Sequence, residues 1–168
     1  VRKKSGEVNY LVAMVQDLTI RKQSEEKLRD NEERMRIFFD NVPLGIFSST
    51  REGKFTYVNP ALPKMLGYDS CEDLVEVVNR TSVSETLYVN PPRRQKSMPE
   101  LGQDDNHGKT IENRDRRKDG QIIDTIVTIG ERHDPITGET IFDGIVTDIT
   151  ERKKLEAVQN FLARTTSS

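Results

Sequence analysis

Apolar and polar positions change rhythm repeatedly along the chain, and each change marks a different kind of element. Val8 to Val15 is an apolar run that reads as a strand. Ser5 and Gly6 supply a turn before it, so Val1 to Val15 has the pattern of a hairpin without its parent sheet. Such an orphan strand is an adhesive edge, expected to pair with another chain or to fold back on the rest. From Arg21 to Asp40 the residues are charged helix formers. Leu28, Met35 and Val42 recur every seven positions with Phe38 between them, a short heptad seam. A parallel dimer seam and a single solvated helix both stay open, because Asn31 and Glu32 spoil the other core position.

After Pro43 the spacing shortens to period two. Leu44 to Ser49 and Lys54 to Asn59 flank the turn Thr50 to Gly53 as a β-hairpin, and Gly53 suits the positive φ of a tight turn. Asn59 and Pro60 open a helix with Leu62, Met65 and Leu66 on its apolar face and Gly67 as its stop. A second short helix is expected from Ser70 to about Val78, and a third from Pro92 to about Leu101. Past the polar turn Gly102 to Gly108 come three predicted strands: Lys109 to Arg117, Gln121 to Glu131 and Glu139 to Asp148. Hairpin turns at Lys118 to Gly120 and Asp134 to Glu139 join them.

One phrase occurs twice: VQDLTIRKQ from Val15 to Gln23 and VTDITERKK from Val146 to Lys154. Self-similarity of this kind marks tandem modules. Each copy joins an apolar run to Asp-x-Thr and then to a charged helix. In the second copy Asp148 can cap the helix while Glu151 reaches back, the reciprocal arrangement of a capping box. Thr150 is an alternative cap, and Arg152 or Lys153 an alternative partner for the Asp148 carboxylate. Asp148, Thr150, Glu151 and Arg152 are therefore the candidate transmission residues between strand and exit helix; the plain alternative is an ordinary cap. The first copy carries Ile20 where the box wants Glu, so its joint is expected to be looser. Leu155, Val158 and Leu162, with Phe161 beside them, extend a further apolar stripe.

Composition narrows the function. The chain has 168 residues, a third of them apolar and none of them tryptophan, enough for one modest core with solvated helices. Twenty-six basic and 28 acidic side chains leave a net charge of −2 and no field to capture nucleic acid. Cys71 stands alone, which rules out an intrachain disulfide and fits a reducing, cytoplasmic compartment. No apolar run approaches the roughly 18 residues of a membrane span. The expectation is a soluble piece of a larger protein whose anchorage upstream stays open. Phosphate loops, GxSxG elbows and HExxH pairs are missing from the sequence, so no catalysis is expected from this chain. The basic run Arg114 to Gly120 reads as a solvated strand edge or, less simply, as a phosphate contact. Asn79-Arg80-Thr81 fits a glycosylation pattern but comes without a secretion signal.

Five segments in order resemble the PAS domain family with its C-terminal PAC segment. They are FFDNVPLGIFSS (Phe38 to Ser49), FTYVNPALPKMLGY (Phe55 to Tyr68), LYVNPPRR (Leu87 to Arg94), NRDRRKDG (Asn113 to Gly120) and GIVTDITERKK (Gly144 to Lys154). The resemblance implies an α+β fold: a five-stranded antiparallel sheet with short helices on one face, flanked by N- and C-terminal signalling helices. It divides the chain into the strand and exit motif of a preceding PAS domain (1–20), a linker helix (21–40), a PAS domain with its PAC segment (32–150) and the start of a signalling helix (151–168). It further implies a sensor or relay in a signalling protein, commonly a histidine kinase, with a diguanylate cyclase as the alternative output. Neither a phosphoacceptor histidine in Lys153 to Ser168 nor a GGDEF motif is present.

The resemblance also implies a pocket between sheet and helices. Ile46, Phe55, Tyr57, Met65, Leu66, Leu74, Leu87, Met98, Ile126, Thr128 and Ile145 are its candidate lining, with Asn59, Asn113 and Thr128 as polar selectors, since buried polar groups require partners. The haem-binding members of the family offer a histidine in the helical segment, but Leu87 to Leu101 has none, and His107 and His133 fall in polar loops. Cys71 lies in SCEDL, away from the context of a flavin-reactive cysteine, although a helix start there favours a thiolate modestly. No haem and no covalent flavin are expected; a small organic ligand, such as a carboxylate or fatty acyl group, or a pocket filled by side chains remains. The stretch Ser82 to Asp105 is irregular enough for a lid. Partners are expected to be a second copy, through the flanking helices, and neighbouring PAS and output domains.

Overall fold

A computed structural model describes residues 4–90 and 108–165, with side chains from residue 20 onward. Two units make up the chain, Val1–Phe39 and Asp40–Ser168. The first is occupied by α1 (Lys4–Asn41), a single helix of 38 residues. The strand expected from Val8 to Val15 is therefore helical, and so is the first copy of the repeated phrase. The reason is backbone accounting. A strand there finds no neighbouring strand among the described residues, whereas a helix satisfies its N–H and C=O groups within itself. Leu28, Met35 and Phe38 are exposed along α1, and Val42 lies just beyond its end.

The second unit is a five-stranded sheet: β1 (Gly45–Thr50), β2 (Phe55–Val58), β3 (Lys109–Arg116), β4 (Ile122–His133) and β5 (Thr140–Asp148). Its order is β2-β1-β5-β4-β3 and every pairing is antiparallel. Three short helices follow β2: α2 (Ala61–Leu66), α3 (Cys71–Arg80) and α4 (Val83–Thr86). Gly67 closes α2 in the left-handed region (φ 77), which costs a glycine nothing. Ser70 caps α3 by accepting the Asp73 N–H, and Ser82 caps α4 by accepting the Glu85 N–H. The single turn α4 carries too few residues to show a helical period and was not expected. The helix expected from Pro92 to Leu101 lies outside the described residues. The exit helix α5 (Thr150–Thr165) follows β5.

Leu62, Leu66, Leu74 and Val78 from the helices are almost wholly buried, and they meet Phe47, Phe55, Val127 and Val146 on the inner face of the sheet. Each such leucine contributes about 2 kcal/mol of burial. Gly144 faces Phe47 so closely that a Cβ there would collide with the ring, so β1 and β5 pack only because that residue has no side chain.

Candidate functional site

Among the buried residues described, Asp115 on β3 is the one carboxylate, and it is 4 % exposed. Its Oδ1 accepts the Asn113 side-chain N–H at 2.7 Å, and its Oδ2 accepts the Thr125 hydroxyl at 2.7 Å. Asn113 and Thr125 stand opposite each other in the β3–β4 register, so the sheet itself aims both donors at the carboxylate. Burial pushes the carboxyl up to about 6, outweighing the lowering effect of the two hydrogen bonds. No cation offsets its charge among the described residues.

Asp115 lines a cavity of about 20 Å³. Phe47, Phe55, Val127 and Val146 form the sheet side, and Leu62, Leu66, Val83 and Leu87 the helical side, with Tyr88 beside Asp115. Backbone bonds hold this corner together: Arg116 N–H donates to the Leu87 carbonyl at 2.6 Å, and Val89 N–H to the Arg114 carbonyl at 3.0 Å.

Of the residues expected to line a pocket, the structure brings Phe55, Leu66 and Leu87 to this cavity. Met65 is partly buried against the core, and Leu74 is fully buried in it without reaching the cavity wall. Asn59 is buried for a structural purpose. Its Oδ1 accepts the N–H groups of Ile46 (2.8 Å) and Leu62 (3.3 Å), and its Nδ2 donates to the Leu44 carbonyl (2.9 Å), pinning the start of α2 to β1. Asn113 supports Asp115.

Ile46, Tyr57, Ile126, Thr128 and Ile145 project from the opposite, outer face of the sheet. Ile46 pairs with Ile145, and Ile145 with Thr128, in one row across three strands. Two causes explain the displacement. A bulge between Ser48 and Ser49 in the β1–β2 register turns Phe55 and Val58 inward together and sends Tyr57, opposite Ser48, outward. On β4 the outer alternation of Ile122, Asp124, Ile126 and Thr128 still carries two isoleucines, so the apolar character of a single residue such as Ile126 does not choose its face. Met98 lies outside the described residues, as does His107.

The outer face of β4 holds the exit joint. Asp124, next to Thr125, donates its N–H to the Thr150 hydroxyl at 3.0 Å and accepts the Ile149 N–H at 2.9 Å through its carbonyl. Lys153 reaches the Asp124 carboxylate at 3.2 Å and that of Glu112 at 2.8 Å. That hydrogen bond with Lys153 holds the Glu112 carboxyl below its ordinary value, and Glu112 and then Asp124 raise Lys153. The expected capping box is not formed. Asp148 accepts the Thr150 N–H at 2.8 Å, but Glu151 pairs with Lys154 (2.8 Å) and Arg152 with Glu156 (3.5 Å). The helix begins at Thr150, so Asp148 stands one residue too early and Glu151 falls on the second helical position, where a reciprocal bond cannot close.

At Cys71 the modest preference of a helix start for a thiolate is outweighed: burial first, then Glu72 and Asp40, push its thiol up, and the backbone hydrogen bond lowers it less. His133 is exposed at the end of β4. Within the basic run, Lys118 is engaged by Asp69 and Asp73, both at 2.7 Å.

A match to the family described as PAS domain spans residues 43–151. The chain belongs to the PAS domain family. Its fold is similar to the PAS domain of an HTR-like protein from Haloarcula marismortui, at 26 % identity and a TM-score of 0.60, covering 76 % of this chain and 99 % of that one. It is also similar to a PAS domain from a two-component sensor histidine kinase (15 % identity, TM-score 0.56, covering 71 % of this chain and 97 % of that one). A sensory box histidine kinase/response regulator from Burkholderia thailandensis shares the fold at 14 % identity and a TM-score of 0.55, over 80 % of this chain and 98 % of that one. No curated protein matches the chain. A PAS domain is a sensory module, not itself catalytic, and this one shares its fold with PAS domains from histidine kinases. Among the described residues no helix is long and apolar enough to cross a membrane.

Asp115 and Asp124 are the site residues that sequence reasoning passed over. Each left a trace. Asn113 and Asp115 alternate with Arg114 and Arg116, a two-faced strand hidden inside what read as a basic run, and Asp124 is a lone acid inside an apolar strand.

Proposed function

We propose that this PAS domain senses a small molecule in the cavity beside Asp115 and passes its occupancy to α5 through the Asp124–Thr150–Lys153 joint. The observation that carries this reading is an adjacency on β4. Thr125 holds the cavity carboxylate from the inner face, and Asp124, the next residue, holds the exit helix from the outer face. Thr125 also stands opposite Asp148 in the β4–β5 register. A shift of Asp115 therefore acts on a strand residue one peptide from the joint. The cost of the carboxylate supports the same reading: a buried charge without a counterion opposes folding, and such groups concentrate at functional sites. The output served by α5 is in our reading a histidine kinase, with a diguanylate cyclase as the alternative, in a cytoplasmic compartment consistent with the single cysteine.

A second reading, a ligand-free dimeric relay, draws on the small cavity and on the exposed stripe of Leu155, Val158, Phe161 and Leu162 along α5. Native mass spectrometry of the purified chain beside the same sample denatured separates the two. A reproducible mass excess lost on denaturation supports the sensor; a dimer at the sequence mass, with no small molecule raising the melting temperature in a screen, supports the relay.

A further inference from the structure

Resting on that reading of the cavity, we propose that its ligand is a small primary amine, held as the ammonium ion by Asp115 with its apolar part against Phe47, Phe55 and Leu66. The head-group preference follows from valence and charge. A carboxylate accepts about four hydrogen bonds, and Asp115 receives two, one on each oxygen, from Asn113 and Thr125. The remaining lone pairs belong to a buried anion that no cation offsets among the described residues. An ammonium group brings three donors and the compensating charge together, and charge-assisted bonds of this kind are roughly twice as strong as neutral ones.

A carboxylate or fatty acid head group in the same place would set like charges together in an apolar surround. A neutral alcohol would fill one lone pair and leave the charge as it was. The cavity of about 20 Å³ is little larger than the ~10–15 Å³ that one water-sized group needs, so it takes the ammonium head as it stands, and the apolar part enters only as Phe47, Phe55 and Leu66 move apart.

The Asp115 carboxyl sits at about 6, so amine binding strengthens as pH rises through that value and the anion forms. The groups that face it are Asn113 from β3, Thr125 from β4 and Tyr88, with apolar side chains from α2 and α4. None of these changes charge near neutrality, since a phenol ordinarily ionises near 10.

The test is amide NMR of the whole chain near neutral pH, titrated separately with propylammonium chloride, sodium propionate and propan-1-ol. Propylammonium is expected to shift the amides of Asp115, Thr125 and Val127 and to bind at least about tenfold more tightly than either other probe. Asp115→Asn, which keeps the shape of the side chain, is expected to bring it within about twofold of propanol. The comparison of the three probes on the unaltered chain stands whether or not the variant folds. Propionate or propanol binding at the cavity as tightly as the amine overturns the amine assignment and leaves the sensing cavity standing. Ammonium effects confined to exposed carboxylates such as Glu72 and Asp134, with no probe moving the cavity residues, overturn both.

Discussion

The Thr150 hydroxyl accepts the backbone N–H of Asp124 at 3.0 Å, so the first residue of the exit helix is fastened to the strand whose next residue holds Asp115. Replacing Thr150 by Val removes the acceptor and leaves a partly buried N–H without its partner. The expected loss is about 1–2 kcal/mol in urea unfolding, with faster amide exchange in the first turn of α5. Thr150→Ser keeps the acceptor and is expected to stay close to the unaltered chain. Equal effects of Val and Ser would remove the hydrogen bond from the account.

Asp115 gives the module a pH dependence whose sign is opposite to that of most carboxylates. Its carboxyl is raised from 3.8 to about 6 on folding, so the folded chain holds this proton more tightly than the unfolded one. The contribution is fully present below the unfolded value and is lost as pH rises through about 6, a change of about 3 kcal/mol. Glu72, Asp73, Glu112 and Asp134 are held below their ordinary values and act the other way, but only at lower pH. Asp115→Asn should therefore be more stable than the unaltered chain above neutrality and should show no decline through pH 6. Urea midpoints measured on both sides of that pH check it.

Lys153 clamps Glu112 and Asp124 at the root of α5. Lys153→Met keeps the aliphatic stem and removes the charge. The Glu112 carboxyl, held low chiefly by its hydrogen bond to Lys153, is expected to return upward toward its ordinary value in a carboxyl-detected NMR titration. High salt should move Glu112 the same way in the unaltered chain, since the pair is partly exposed.

Asn59 reads in the sequence as a polar selector, whereas in the structure it fastens β1 to α2. Asn59→Ala strands the Ile46 N–H and the Leu44 carbonyl, while the Leu62 N–H keeps its bond to the Asn59 backbone carbonyl. A loss of about 2–4 kcal/mol in stability is expected, with the relative affinities of probes at the cavity unchanged in whatever fraction stays folded.

The strands, the hairpins and the helices at Leu62 and Leu74 were legible because period-two and helical spacing alternate cleanly after Pro43 and because Gly53, Gly67 and Gly120 punctuate them. What escaped was the choice of face. Tyr57 is displaced by a bulge that period two cannot register, and Ile126 and Ile145 are apolar residues on outer rows that also carry Asp124 and Asp143. The segment from Val8 to Val15 was misread for a related reason. A β-rich composition specifies a strand only when a neighbouring strand is there to bond it, and a sequence does not display that neighbour. The joint was found by its repeated phrase, but its bonding was not, because Thr150 and Lys153 take their partners from Asp124 and Glu112, far away in sequence and adjacent only after β3, β4 and β5 have paired.

The central claim, that the state of the cavity reaches the exit helix across β4, is tested most directly by an NMR pH titration of the amides from Thr150 to Lys153, in the unaltered chain and in Asp115→Asn. Ionisation of Asp115 at about 6 is predicted to give those amides an inflection near that pH, and Asp115→Asn is predicted to abolish it. Amides at α5 that shift identically in both proteins, with the inflection confined to Asn113, Asp115 and Thr125, would contradict the account.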